Sequence, residues 1–349
     1  MGEAYAVIMA GGRGERFWPL STSFVPKPFL PLLGSKTLIQ QTIQRLLPLL
    51  PPERMLISIG EAHRQIAVDQ LPQIPAGNFI VEPVGRDTAA CLAYCALCIE
   101  KRDPDGTMLA VPADHYIADA EACRRTLEKG IRALPDAIGV VFGIRPSRPD
   151  TGYGYIQTST PEPGAEAWPV VRFVEKPDEA RAREYLAAGN YYWNSGMFLW
   201  RNQTLLELFR LHMPEMHRGL EALRPLIGRA GARPELRAVF AALPRISIDF
   251  GIMEKTTGLR LVPAEFAWDD IGNWGALDRA LPHDANGNVA LGKHVSVESG
   301  GCIAYSDAGV IAIFGISDLI VVQAHGKVLV CPKDRAADLK RLISCLQTE

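Results

Sequence analysis

The apolar run Ala6-Val7-Ile8-Met9-Ala10 opens directly into Gly11-Gly12-Arg13-Gly14-Glu15-Arg16. A strand ending in so glycine-rich a turn constrains the chain more than any other feature of its sequence. Glycine lets the main chain adopt positive φ and approach a ligand closely. Successive backbone N–H groups in such a turn form an anion-binding concavity. Pro19-Leu20-Ser21 and Pro26-Lys27-Pro28 follow, so two arginines and a lysine accompany the bare amides. Arg16 can grip a phosphate through paired hydrogen bonds, and Lys27 can add a point charge. The ligand expected of this loop is a polyphosphate.

Two common glycine loops do not fit. The P-loop sequence Gly-x-x-x-x-Gly-Lys-Ser/Thr is absent. The dinucleotide fingerprint Gly-x-Gly-x-x-Gly, counted from Gly12, fails at Phe17. A tight strand-to-helix turn with solvated arginines is the plain reading of the glycines alone. Arg16, Pro19, Leu20 and Lys27 weigh against it.

Short apolar runs alternate with helical stretches. Tyr5–Met9, Met55–Ile59, Met108–Val111 and Gly139–Gly143 read as strands, and Leu38–Leu47, Thr88–Arg102 and Glu121–Ala133 as helices. That alternation predicts an α/β fold: a Rossmann-like mixed, mostly parallel sheet covered by helices on both faces. Ligands of such sheets bind at the carboxyl ends of the strands, where the glycine loop and Asp114 both fall. Tyr153–Ile156 and Val170–Val174 read as further strands and Glu179–Ala188 as a helix. After Leu281 the turn-rich joint Pro282–Asn288 introduces a β-like, glycine-punctuated stretch. Residues 1–281 are therefore expected to form one domain, and 282–349 a small β-rich domain with a stabilising or oligomerising role, a homodimer included. Leu291, Val297 and Ile303 are six apart, a spacing shared by a short left-handed β-helix and by ordinary hairpins. Asp334–Leu346 reads as a closing amphipathic helix.

With 349 residues, 48% of them hydrophobic, the chain can bury a large core. A net charge of −2 argues against a general nucleic-acid or membrane-surface binder, so positive potential must be local. No apolar run approaches the ~20 residues of a membrane span. The opening Met1–Tyr5 lacks the basic-then-apolar pattern of a secretory signal. The expected location is the cytoplasm. Cys91, Cys95 and Cys98 fall at helical spacing and read as core residues rather than metal ligands, since no histidine accompanies them.

The sequence Gly-Gly-x-Gly-x-Arg-x-x-Pro-Leu-Ser followed by Pro-Lys resembles the opening motif of the sugar-phosphate nucleotidyltransferases. Its form here, Arg16-Phe17-Trp18-Pro19-Leu20-Ser21, is most similar to the mannose-1-phosphate guanylyltransferase branch. The resemblance continues in order through Val81–Pro83, Arg86–Ala90, Val111–His115, Thr151–Ile156, Phe173–Pro177, Trp193–Phe198, Ser247–Asp249 and Trp268–Trp274. It implies a GT-A-like nucleotidyltransferase that joins GTP and α-D-mannose 1-phosphate into GDP-mannose and pyrophosphate. In that reaction two anions must meet, so the protein has to supply positive charge and hold nucleophile and leaving group in line.

The resemblance also implies roles. Ala10, Gly11, Gly12, Arg13 and Gly14 would cradle the nucleotide phosphates, while Arg16 and Lys27 would neutralise charge on the α-phosphate and the departing pyrophosphate. Asp114 and Asp270 would hold Mg²⁺, or another divalent cation such as Mn²⁺. A hard cation needs only one or two protein carboxylates. Asp269 leaves a one-residue ambiguity. Glu82 would read the base, because guanine offers N1–H and N2–H₂ to a carboxylate whereas uracil and thymine flank a single donor with carbonyls. Arg86 and Thr88 would complete the nucleotide loop, in which Asp87 stands where the family leads one to expect Asn. Lys176 would bind the sugar phosphate. Glu175, Asn194 and Asp249 would meet sugar hydroxyls, with Gly152 leaving room for the ring.

Three other readings compete: a sibling enzyme for another hexose phosphate or base, a silent GDP-mannose sensor, and a GT-A glycosyltransferase. The last would carry Asp-x-Asp at the strand end, where Pro112-Ala113-Asp114-His115 stands instead.

Overall fold

The computed structural model describes residues 2–12, 15–160 and 164–346. Along the chain run strands β1 (Ala4–Met9), β2 (Met55–Gly60), β3 (Phe79–Glu82), β4 (Thr107–Pro112) and β5 (Tyr116–Ile117). They are followed by β6 (Gly139–Ile144), β7 (Tyr155–Thr158), β8 (Trp168–Val174), β9 (Tyr191–Arg201) and β10 (Leu259–Pro263). The last are β11 (Trp268–Asp269), β12 (Val289–Val297), β13 (Ile303–Phe314), β14 (Leu319–Ala324) and β15 (Lys327–Pro332).

Two compact units emerge, and neither is one continuous stretch. The first comprises residues 1–11, 44–112 and 118–267; the second comprises 12–43, 113–117 and 268–349. The compact units thus cut across a division at residue 281, because segments 12–43 and 113–117 group with the C-terminal strands.

In the first unit nine strands take the order β3-β2-β1-β4-β9-β6-β10-β8-β7, with β7 also pairing to β9. The expected mostly parallel sheet is more mixed than that: four pairings are parallel and five antiparallel. The reversal comes from β9, which runs against β4, β6 and β7. It also closes five strands into a ring, β9-β6-β10-β8-β7. β1, β3 and β4 are parallel members of the ladder, so Gly11, Glu82 and Pro112 mark its carboxyl edge.

The helix Asp87–Arg102 is buried continuously from Ala89 to Ile99, not along one stripe. Small and apolar residues on every side let it pack among Tyr5, Val7, Met108, Ala110 and Leu208. Cys91, Cys95 and Cys98 are buried there as core residues.

The second unit packs the segment after the glycine turn onto the C-terminal strands. Phe17, Leu20 and Leu30 share one core with Trp274, Ile303, Ile320 and Leu329. β12, β13 and β14 stack in parallel, and β15 returns antiparallel to β14. The six-residue spacing does not mark equivalent positions, since Ile303 is fully buried while Val297 is 46% exposed. The closing helix is shorter than expected, Leu339–Leu346 after a tighter turn over Lys333–Asp338. No helix among the described residues is long and apolar enough to cross a membrane.

Candidate active site

In the second unit the charged residues are placed by buried neighbours. Gly12 has φ +99, a left-handed conformation that side chains resist. Arg13 and Gly14 lie outside the described residues. The exposed Arg16 sits in the short turn Glu15–Phe17, anchored by buried Phe17, whose ring lies 5.2 Å from Trp274. Trp274 in turn donates its Nε1–H to the Trp18 carbonyl at 2.9 Å.

A two-residue ribbon then aligns the aspartates. β5 and β11 pair antiparallel with Asp269 opposite Tyr116. Asp270 directly follows β11, and Asp114 stands two residues before β5. Lys27 joins them: its Nζ lies 2.8 Å from Asp114 Oδ2 and donates to the Asp270 main-chain oxygen. Only 9% of the Lys27 side chain is exposed, so the ion pair is largely shielded from water. Burial pushes the Asp114 carboxyl up, but Lys27 and His115 outweigh it and hold the group below the usual carboxylate range. His115 Nδ1 accepts from Trp268 Nε1 at 3.1 Å.

The neighbouring aspartates have different surroundings. Asp269 accepts from the Ile271 amide at 2.9 Å and from Arg279 Nε at 2.6 Å and Nη2 at 3.1 Å. Asp270 instead borders Gly272. A Cβ built there would lie 3.1 Å from Asp270 Oδ2 and 3.5 Å from Arg16 Nη1. Carboxylate and guanidinium therefore flank the same bare glycine. The donor chemistry of Asp114 and Asp270 fits a hard divalent cation: two carboxylates, one held ionised by its surroundings. Among the described residues no group of three or more His, Cys, Asp or Glu could hold a metal.

The first unit carries the residues expected at base and sugar. The buried Ala10 donates its amide to the Ser58 carbonyl, and Gly11 has open space where a Cβ would stand. Glu82, the last residue of β3, accepts from Ser58 Oγ at 2.8 Å. Burial raises its carboxyl above the usual range, with Ser58 and Cys91 acting against that. Arg86 has a buried Nε without a hydrogen-bond partner. Asp87 takes φ +67, a conformation in which Asn and Asp are the favoured non-glycine residues, so the Asp in place of Asn keeps the backbone requirement. Thr88 Oγ1 accepts from the Ile248 amide at 2.8 Å, which ties the helix start to the segment bearing Asp249.

Asn194 links the sugar set. Its Nδ2 donates to Asp249 Oδ1 at 2.9 Å, and its Oδ1 accepts from Gly196. Burial and the Glu175 charge push the Asp249 carboxyl up to about 6. Lys176, at φ +45, donates to Glu175, whose own amide donates to Glu254 at 3.1 Å. Gly152 donates its amide to Asp150 at 2.8 Å and stands at the loop surface. Sequence reasoning missed Gly154: a Cβ there would lie 2.4 Å from Glu175 Oε2 and 3.3 Å from the Asn194 Cβ. The available signal was the Gly-Tyr-Gly pair itself, which does not tell which glycine a distant carboxylate approaches.

The nucleotidyl transferase family model matches residues 5–287, and a MannoseP isomerase/GMP-like β-helix domain matches 292–346. The mannose-1-phosphate guanylyltransferase of Escherichia coli K12 is 36% identical over 99% of this chain and 74% of its own length. The alginate biosynthesis protein AlgA of Pseudomonas aeruginosa is 37% identical over 98% of this chain and 72% of its own length. A crystal structure from Thermus thermophilus, described as a mannose-1-phosphate geranyltransferase, superposes with a TM-score of 0.91 at 42% identity, covering 99% of both chains. The chain belongs to the nucleotidyl transferase family and carries, after that region, a MannoseP isomerase/GMP-like β-helix domain.

Proposed function

We propose that the protein transfers GMP from GTP to α-D-mannose 1-phosphate, forming GDP-mannose and releasing pyrophosphate. Relatives carrying that activity in their names support the substrates. The observation that carries the chemistry is the Lys27 ammonium, buried between the Asp114 carboxylate and the Asp270 carbonyl, with Arg16 near Asp270. A mannose 1-phosphate oxygen attacks the α-phosphorus, the new P–O bond forms, and the bond to the bridging oxygen of pyrophosphate breaks. The nucleophile is already ionised at neutral pH, so no general base is needed. Arg16 and Lys27 offset the charge of the reacting phosphates. Asp114 and Asp270 would hold Mg²⁺, which when bound supplies Lewis-acid neutralisation of phosphate oxygens. Hydrogen bonds from Arg279 and the Ile271 amide to Asp269 favour Asp270 for that role.

Glu82 reads N1–H and N2–H₂ of guanine, with Ser58 orienting the carboxylate. Arg86 offers its unpartnered Nε in the same loop, and Thr88 acts by holding the Ile248–Asp249 segment. Lys176 takes the sugar phosphate, while Glu175, Asn194 and Asp249 take sugar hydroxyls.

The test is Mg²⁺-dependent pyrophosphate release from the purified protein, with GTP, ATP, UTP or dTTP and either mannose 1-phosphate or glucose 1-phosphate. Release chiefly with GTP and mannose 1-phosphate is expected. A different preferred pair would overturn the substrates and keep the chemistry. No release from folded protein that binds GDP-mannose would overturn the enzymatic reading in favour of a sensor.

A further inference from the structure

A second concave surface lies wholly within the first unit, away in sequence from every residue assigned above except Glu82 and the 86–88 loop. This cleft, of about 910 Å³, is bounded by the end of β3, the C-terminal half of helix Asp87–Arg102, and residues 227–237. Its volume falls within the range that holds small organic ligands. Five cations line it, Arg64, Lys101, Arg102, Arg233 and Arg237, against the single carboxylate of Glu61. In a chain of net charge −2 that is a local concentration of positive charge.

Three of the five cations are held by neutral groups. Lys101 donates to the Ile227 carbonyl at 2.6 Å, and Arg102 to Gly77 and Asn78 at 2.7 and 2.8 Å. Arg237 donates to the Pro83 carbonyl at 3.0 Å. The Arg64 amide donates to the Glu61 carbonyl, while its guanidinium has no hydrogen-bond or ion-pair partner among the described residues. Among the described residues, Arg233 alone of the five meets a carboxylate, Glu61, at 3.6 Å. Carbonyls fix the other three head groups without cancelling their charge, and each keeps further N–H donors. Behind them the wall is apolar: Phe79, Tyr94, Ile227 and Leu236. A phosphate ester, with close to two charges at neutral pH and several acceptor oxygens, matches the cations. A planar organic portion matches the apolar wall.

We propose that this cleft is a second ligand site, distinct from the catalytic residues, that binds a phosphorylated aromatic small molecule with the chemistry of a nucleoside monophosphate. Arg237 also grips the residue following Glu82, so an anion that engages Arg237 acts on the end of β3.

The test uses AMP as the probe and hydrogen exchange read by mass spectrometry, which locates binding without reference to turnover. In the full chain, millimolar AMP is expected to slow exchange in peptides covering 77–83 and 227–237. The double variant Arg64→Glu/Arg233→Glu, at exposed positions that are not used in the proposed chemistry, is expected to weaken that protection at least tenfold in AMP concentration. Its unchanged exchange elsewhere would show that it folds. Protection confined to residues 10–27, or protection of the cleft peptides that the double variant leaves intact, would overturn the proposal. So would no protection at all.

Discussion

Lys27 Nζ lies 2.8 Å from Asp114 Oδ2 in surroundings that leave the lysine side chain 9% exposed. Such a pair stabilises less than its Coulomb energy, but breaking it from one side leaves a poorly hydrated charge. Lys27→Met is therefore expected to lower the unfolding free energy by about 3 kcal/mol, read from urea midpoints at constant m-value. Asp114→Asn is expected to reduce kcat by about 10²-fold or more. The depressed Asp114 pKa makes the carboxylate's stabilising contribution present above the unfolded value of about 3.9 and lost as pH falls through the lower folded value. The stability gap between wild type and Asp114→Asn should accordingly close below about pH 4. Wild-type turnover in Asp114→Asn at saturating Mg²⁺ would remove this carboxylate from the chemistry.

Asp269 and Asp270 should separate cleanly. Asp269 spends both oxygens on Arg279 and the Ile271 amide, so Asp269→Asn is expected to cost about 1.5–3 kcal/mol of stability. Its Mg²⁺ requirement should stay near that of wild type. Asp270→Asn is expected to fold normally and to need at least tenfold more Mg²⁺ for half-maximal pyrophosphate release. If instead the Asp269 variant carries the shifted Mg²⁺ requirement, the assignment of the pair is reversed.

A similar contrast holds for two glycines. An alanine Cβ at Gly154 would lie 2.4 Å from Glu175 Oε2, too close without displacing that carboxylate. At Gly152 it would meet only Asp150 Oδ1 at 3.1 Å, the tip of a side chain in an exposed loop. Gly154→Ala is expected to raise KM for mannose 1-phosphate about tenfold, roughly the 1.4 kcal/mol that a misplaced hydrogen bond costs, and Gly152→Ala to change it little. Steady-state kinetics at saturating GTP decide between them. No change in KM at Gly154 would mean that Glu175 does not contact the sugar, and a large change at Gly152 would place that glycine against the ring.

Local features of this fold were legible because local physics sets them. The strand runs at residues 5, 55, 108 and 139 and the helix at Glu179–Ala188 end close to where their apolar patterns and breakers put them. What was hidden depends on partners far away in the chain. Nothing in Tyr191–Arg201 announces that β9 runs against β4, β6 and β7, since strand direction is a property of pairing, not of composition. Helix Asp87–Arg102 has no polar face to reveal its orientation, because it is buried all round. The different surroundings of Asp269 and Asp270 were equally unreadable: Asp269 meets Arg279, ten residues on, while Asp270 and Arg16, some 250 residues back, flank Gly272.

The proposed base reading by Glu82 can be tested through its environment. Ser58 holds one carboxylate oxygen at 2.8 Å while burial raises the group's pKa. Glu82→Gln keeps the shape and supplies a donor where guanine also presents donors. The ratio of kcat/KM for GTP over UTP is expected to fall by about tenfold or more, equivalent to the ~1–3 kcal/mol of an unpaired polar group. An unchanged ratio would assign base reading to another group.

Asp249 supplies a pH test. Its carboxyl is pushed up to about 6 by burial and by Glu175, so it is ionised at pH 8 and largely protonated at pH 5. In its proposed role as acceptor for a sugar hydroxyl it serves best ionised, so the affinity that role contributes should fade as pH drops through about 6. Mannose 1-phosphate titrates its own phosphate near there as well. The informative quantity is therefore the ratio of KM in Asp249→Asn to KM in wild type. That ratio is expected to be large at pH 8 and to approach one toward pH 5. Stability should move the opposite way. A raised carboxyl pKa penalises the ionised folded state, so Asp249→Asn should be more stable than wild type at pH 8, with the gain shrinking below pH 6 and gone near pH 4. A KM ratio independent of pH would place Asp249 away from the sugar, and a stability difference independent of pH would mean that its carboxyl is not desolvated.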